Sequence, residues 1–298
     1  MKKQEYKPRY PIYILSKGRH DCCWTAKFFE EDKVDFYLVV ETEEYELYRH
    51  NFPNANILVM PPENSNKGAV NTRNWLWSHA LQNGFERHWE FDDNIRCIRR
   101  LHAGKRIKCN ANTAISIVED FTDRYENIAI SGFNYTMFVL NDCKYQYFIN
   151  CHVYSGMLIK NHMPYRWRLS YNADTDLCLQ VLHDKWCTVS FNQFAIEKGA
   201  TMTLKGGNTA RYQGNGRLKM AKLLEMTWPQ YVKTAWRFNR PQHSVSWNKY
   251  FKHPLKRRTD IDWEEIAKTE YRIELKVKKE LKSKRLQKWV KEQTSKEQ

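Results

Sequence analysis

The chain has 298 residues, 42% hydrophobic and 14% aromatic, which excludes a low-complexity chain and leaves material for one large domain or two modest ones. No stretch is apolar over the length a bilayer crossing needs, and the segment MKKQEYKPRYPIYIL is interrupted at Ser16, Lys17 and Arg19, so neither export nor membrane insertion is expected. Lys plus Arg number 49 against 34 Asp plus Glu, a net charge of +15 that favours a polyanionic partner, nucleic acid first, through release of condensed counterions.

In chain order, short β-branched or aromatic runs alternate with amphipathic segments, the pattern of an α/β domain with a largely parallel sheet. YPIYIL (10–15) predicts a strand, CCWTAKFFEED (22–32) a helix, and DFYLVV (35–40) and NILVM (56–60) two more strands. AVNTRNWLWSHALQNG (69–84) predicts a helix ending at Gly84, where a left-handed cap costs little, and HWEF (88–91) a buried strand. NIAISGF (127–133), YFINCHVYSGMLIK (147–160) and CTVSFNQFAIEKG (187–199) predict further strands; DTDLCLQVLHD (174–184) has the Leu177, Val181 and Leu182 spacing of a helix.

From about residue 214 Trp and Tyr interleave with Lys and Arg, which divides the chain into a domain over 1–213 and a basic, aromatic-rich helical region over 214–298. Asp260 to Val290, free of Pro and Gly, predicts a long solvated helix. Eight cysteines show no Cys-x-x-Cys pair and no matching His spacing, so a zinc site has no support; with no secretory signal expected and a chain large enough to be stable by burial, reduced thiols in an intracellular protein are expected rather than disulfides.

An open α/β sheet binds ligands beyond the carboxyl ends of its strands. Polar groups recur at those points: Ser16, Lys17, Gly18 and Arg19 after the first strand, Glu41 after the second, PPENSNKG (61–68) after the third, and Asp92, Asp93 and Asn94 after the fourth. Each has a plain reading as turn, cap or solvated surface; together they have the shape of a nucleotide site. Asp92, Asp93 and Asn94 offer hard oxygen ligands suited to Mg²⁺ or Mn²⁺, which would bridge them to a diphosphate.

Asp174 and Asp176 open the predicted helix at 174–184, where carboxylates cap and favour the dipole. One of them, with an ordinary or slightly raised pKa, would also serve as a base for an acceptor hydroxyl, and Asp174 is the preferred one. KGGNTARYQGNGR (205–217) reads as a flexible loop or as a lid whose Arg211 or Arg217 touches phosphates. Trp228, Tyr231, Trp236, Trp247 and Tyr250 read either as core packing or as stacking platforms for bases.

The ordered set YPIYILSKGR, NKGAVNTRNWLW, WEFDDNI and YNADTDLCLQVL resembles the GT-A glycosyltransferases over roughly residues 8–200. More narrowly it resembles the TET-associated glycosyltransferases of bacteriophages, relatives of the base J glucosyltransferases. The resemblance implies a Rossmann-like GT-A sheet flanked by helices, a nucleotide-sugar donor (usually a UDP-sugar), Mn²⁺ or Mg²⁺, and hexosyl or pentosyl transfer to a 5-hydroxymethylpyrimidine, such as hydroxymethylcytosine, in DNA. It implies that Ser16 and Arg19 contact the nucleotide; that Arg73 lies near the donor phosphates; that Asp92 meets ribose or metal, with Asp93 or Asn94 on the metal; and that Asp174 matches the catalytic carboxylate. Glu41, from its strand exit, and Arg211, from the glycine-rich loop, are further candidate donor-binding residues read from the chain itself.

Asn94 stands where the common acidic triplet ends in Asp, and Ala173 where many members carry Glu before the catalytic Asp. The resemblance also implies action in the host cytoplasm, on DNA, with no membrane partner. Since fold and donor site do not fix the acceptor, a protein or glycan acceptor and a catalytically dead DNA-binding module are the rival readings.

Overall fold

Four short apolar runs, each separated from the next by a helix, pair in parallel, because a crossover returns the chain to the same end of the sheet. β1 (Ile12–Leu15), β2 (Tyr37–Val40), β3 (Asn56–Val59) and β4 (Arg87–Asp92) lie in the order β3-β2-β1-β4, joined through α1 (Trp24–Glu31), α2 (Tyr45–Asn51) and α3 (Ala69–Gln82). The structure, a computed structural model, describes residues 6–199, 214–237, 239–270 and 273–274.

β5 (Ile95–His102) and β6 (Lys105–Cys109) form a hairpin that the sequence reading did not anticipate. Its turn holds Ala103 at φ 47° and Gly104 at φ 72°, the two left-handed residues that a tight two-residue turn requires. α4 (Ala111–Thr122) follows, capped by Asn110, whose side chain accepts from the Thr113 N–H.

β7 (Ile128–Tyr135), β8 (Tyr147–Ile149), β9 (Gly156–Lys160) and β10 (Cys187–Lys198) complete the sheet. β9 runs antiparallel between β4 and β7, β10 is parallel to β7, and β8 and β5 pair antiparallel with β10. The parallel arrangement therefore holds over β3-β2-β1-β4 and for β7 with β10, and the sheet as a whole is mixed. The run 147–160 is divided by a loop at 150–155, and that loop carries His152 and Ser155 to the candidate site.

β4 alternates with the period of a strand covered on both faces. Trp89 and Phe91 stack with each other at 5.3 Å, Trp89 stacks on Phe133 at 5.5 Å, and Phe91 meets Phe29 of α1 at 5.2 Å. Burial of each such ring stabilises the fold by roughly 1.5–3 kcal/mol. Glycine is required where this stack meets β7 and β9: a Cβ on Gly132 would lie 2.0 Å from the Gly156 carbonyl oxygen, and one on Gly156 would lie 2.8 Å from Phe91 Cε1. His88 and Glu90 face the other way, toward Trp77 and Arg73 of α3.

α5 (Ala173–His183), α6 (Gly216–Thr227) and the hairpin β11 (Val232–Arg237)/β12 (Arg240–Val245) follow. Leu177 and Val181 of α5, Leu224 of α6, Val232 and Tyr250 share one buried cluster with Trp77 and Ile159, so residues 214–257 complete the core of the first compact unit, Met1–Arg257. Where sequence reading expects a helical region, this stretch is a helix followed by a β-hairpin. The second unit, Arg258–Gln298, contains α7 (Trp263–Lys268) and the short pair β13 (Thr269–Glu270)/β14 (Ile273–Glu274). Most of the long helix expected over 260–290 lies outside the described residues.

All eight cysteines are free thiols. Among the described residues no helix is long and apolar enough to cross a membrane.

Candidate active site

The carboxyl ends of β1, β2 and β4 open into a cavity of about 740 Å³, lined among others by Ser16, Glu41, Arg73, Asp92, Asp174 and Lys198. The first four stand at the strand exits or on the helix between them, where sequence reading expects a nucleotide site. α5 brings Asp174 from the opposite wall, and β10 ends on Lys198.

At one side of the cavity Ser16, Arg19 and Asp93 satisfy one another. The Arg19 guanidinium forms a tight ion pair with Asp93 Oδ1, and Ser16 Oγ donates to Asp93 Oδ2 at 2.9 Å while contacting the Tyr48 hydroxyl at 2.6 Å. Burial pushes the Asp93 pKa up, and Arg19 only partly offsets it. Glu41, also buried, accepts from Lys17 Nζ at 2.7 Å.

A second chain of charges runs from the sheet into the cavity. His88 Nε2 lies 3.1 Å from Glu90 Oε1, which also accepts from Trp167 Nε1 at 3.2 Å. Glu90 Oε2 pairs with Arg73, whose guanidinium lies 4.6 Å above the Trp167 ring and donates to Asp92 Oδ1 at 3.0 Å. Asp92 Oδ2 takes Lys198 Nζ at 2.6 Å, and Lys198 also donates to Ser155 Oγ at 2.6 Å. Burial would raise the Asp92 pKa, but Lys198 and Arg73 outweigh it and bring it down to about 2.

Asp174 occupies the first turn of α5, after Asn172 in the left-handed conformation. Its Oδ1 accepts from the Thr175 N–H at 2.8 Å and its Oδ2 lies 3.1 Å from His152 Nε2. Burial opposes ionisation, yet the imidazole holds the Asp174 pKa far below the usual carboxylate range, not at the ordinary or slightly raised value expected. His152 lies between rings, 4.2 Å from Tyr154 and stacked at 6.1 Å on Trp247. His243 lines the same wall, and burial lowers its pKa.

Asp176, the other candidate carboxylate, does not line the cavity. It is fully buried and accepts from Arg168 at 2.9 Å, Gln180 Nε2 at 2.9 Å and Trp228 Nε1 at 2.7 Å, tying α5 to the end of α6. Arg211 and most of the glycine-rich loop lie outside the described residues, and Arg217 is not among the cavity-lining groups. Of the late aromatics, Tyr250 is buried and stacks on Tyr231, Trp228 packs against the core, Trp247 reaches His152, and Trp236 is 72% exposed.

The residues expected to hold a divalent ion do not fit one as they are arranged. A hard cation needs six or more oxygen ligands with lone pairs to offer. Both oxygens of Asp92 already face cations, both of Asp93 are taken by Arg19 and Ser16, and only Asn94 Oδ1 is buried without a partner. Among the described residues no group of three or more His, Cys, Asp or Glu is placed to hold a metal.

Residues 10–207, two thirds of the chain, match the sequence model of the TET-associated glycosyltransferases. The chain belongs to that family. A comparison with curated proteins finds no match. The matched span of this glycosyltransferase runs from β1 through β10 and so contains both charged chains and Asp174, while His243 and Trp247 come from beyond it. Sequence reading missed Glu90, Tyr135, His152, Ser155, Lys198 and His243. For His152 and Ser155 a signal existed, the polar CHVYS interruption of an otherwise apolar run.

Proposed function

We propose that this glycosyltransferase has a GT-A type donor site and moves a sugar from a nucleotide-sugar, a UDP-sugar by preference, to the hydroxymethyl oxygen of a 5-hydroxymethylpyrimidine in DNA. Ser16, Arg19 and Glu41 lie where the nucleoside enters over the strand ends, Asp92 where the ribose meets β4, and Arg73 beside the diphosphate. The acceptor oxygen attacks the anomeric carbon and its proton passes to Asp174. The bond from that carbon to the diphosphate oxygen breaks, and the diphosphate leaves with the electron pair.

The observation that carries this reading is the placement of Asp174. An ionised carboxylate, oriented by His152 and the Thr175 N–H, faces the same cavity as Asp92 and Arg73 in a chain of glycosyltransferase family. A base with so low a pKa is weak at rest, but a bound diphosphate brings like charge into the cavity and raises it toward its task.

Two features support DNA as acceptor. The net charge of +15 suits a phosphate backbone. At the lip of the cavity Phe138 packs against Tyr135 and Tyr154, and its neighbours Met137 and Leu140 are 65% and 72% exposed, apolar side chains of the kind that wedge into a base step while the target base is extruded. The test is incubation of the protein and labelled UDP-sugars with hydroxymethylated and unmodified duplexes. Label is expected on the hydroxymethylated duplex alone. Label on protein or glycan with none on DNA would favour a different acceptor, and no transfer to any acceptor a binding module.

A further inference from the structure

We infer that Lys198, held by Asp92, occupies the place of a divalent cation in the donor site and neutralises the departing diphosphate, so that donor binding needs no metal. The inference rests on the donor site proposed above and names the group that stabilises its leaving group.

The fold places this lysine deliberately. β10 pairs with β5 in regular register from Phe194 to Glu197; the pairing then skips Arg96 of β5, so that Lys198 still meets Ile95, and the alternation of the strand sends Lys198 to the face opposite Glu197. Glu197 stays on the sheet with Arg99, while Lys198 enters the cavity with its side chain only 18% exposed. There Nζ finds Asp92 Oδ2 and Ser155 Oγ, each at 2.6 Å, with the Tyr135 ring centroid at 5.5 Å. The carboxylate at 2.6 Å gives the buried ammonium its counter-charge inside the cavity.

Asp92 thus treats Lys198 as an acidic metal ligand treats its ion. The carboxylate fixes a positive charge at the exit of β4, and Arg73 holds the other carboxylate oxygen, fixed in turn by Glu90 and Trp167. An ammonium carries three N–H donors. When the donor binds, the N–H that meets the Ser155 hydroxyl turns to a phosphate oxygen, a stronger acceptor because it is ionised. As the sugar–oxygen bond breaks, the electron pair stays on the diphosphate, and a positive charge already in place lowers the barrier without reorganisation. No proton or further reactant is required. A divalent ion at the same point would have to displace Lys198 from Asp92 and would leave a buried ammonium without its partner.

The test is calorimetric titration of UDP, and in parallel CDP, GDP, ADP and dTDP, into full-length protein freed of metal with EDTA, then repeated with Mn²⁺. The expected result is binding of at least one nucleotide with the same affinity, within about threefold, under both conditions. Lys198→Met should lose about tenfold or more in affinity, the value of a charge-assisted hydrogen bond, with no recovery on adding Mn²⁺, and Lys198→Arg should keep part of it. Nucleotide binding by the unaltered protein that appears only with Mn²⁺ overturns the inference and leaves the glycosyltransferase reading standing, as does wild-type affinity in Lys198→Met. Binding of no nucleotide under either condition overturns the donor site itself.

Discussion

His152 Nε2 lies 3.1 Å from Asp174 Oδ2, and this contact is the strongest of those that favour the ionised form of the carboxylate at the start of α5 that faces the cavity. The two come from the loop between β8 and β9 and from the first turn of α5, and Trp247 and Tyr154 keep the imidazole in place from either side.

His152→Gln should therefore move the acid limb of the pH–rate profile upward. Burial raises the Asp174 pKa and His152 lowers it most, so losing the imidazole leaves only the Thr175 N–H and His243 to oppose burial and the carboxylate takes its proton at higher pH. The check is kcat/KM for sugar transfer against pH. An acid limb in the same position in both proteins would remove His152 from the account.

Asp176→Ala should cost stability and spare catalysis. Its carboxylate is buried among Arg168, Gln180 and Trp228, and removal strands the indole N–H and one end of the guanidinium, at about 2–4 kcal/mol. Urea denaturation measures the first effect and kcat of the folded fraction the second. Loss of kcat with unchanged stability would make Asp176 the reacting carboxylate instead.

Glu119 gives the fold a pH dependence near neutrality. Buried in α4, it accepts from Trp89 Nε1 at 2.9 Å and the Arg9 N–H at 2.8 Å, and burial pushes its pKa up to about 7 despite those donors. A raised carboxyl pKa means the folded state favours the proton. Its contribution is full below the ordinary value of about 4.5 and is lost as pH rises through about 7. Glu119 should lower the melting temperature progressively between about pH 4.5 and pH 7, and Glu119→Gln should remove that part of the pH dependence. An equal fall in the variant would assign it to other groups.

Met137→Ser with Leu140→Ser should weaken transfer to duplex DNA by about tenfold or more while sparing single strands, because extruding a paired base costs a few kcal/mol that an unpaired base does not. Both side chains are exposed, so the fold should be unaffected. Equal losses on the two substrates would show that the pair does not act as a wedge.

The sheet's parallel half was legible because each strand there is short, β-branched and followed by its own helix, and the strand exits fell where Ser16, Glu41 and Asp92 stand. What the sequence could not show is which charges meet. Asp92, Asp93 and Asn94 look like a metal-binding set when read alone, but their counterions come from residues 19, 73 and 198, and no local pattern brings those three together. Asp174 and Asp176 are equally acidic on paper; two residues of helical rotation put one in the cavity and the other against Arg168. The β5–β6 hairpin, in RCIRRLHAGKRIKC, received no predicted element because its strands carry many charged residues among few apolar ones, and the late aromatics proved mostly core because Tyr231 and Tyr250 pack on each other.

The most direct measurement is mass spectrometry of nucleosides from hydroxymethylated DNA treated with the protein and a UDP-sugar, run beside Asp174→Asn. The account predicts a hexosyl or pentosyl increment on the hydroxymethylpyrimidine for the unaltered protein and a loss of about a hundredfold or more for the variant, the range typical of a general base. An increment of equal size from both proteins would contradict it.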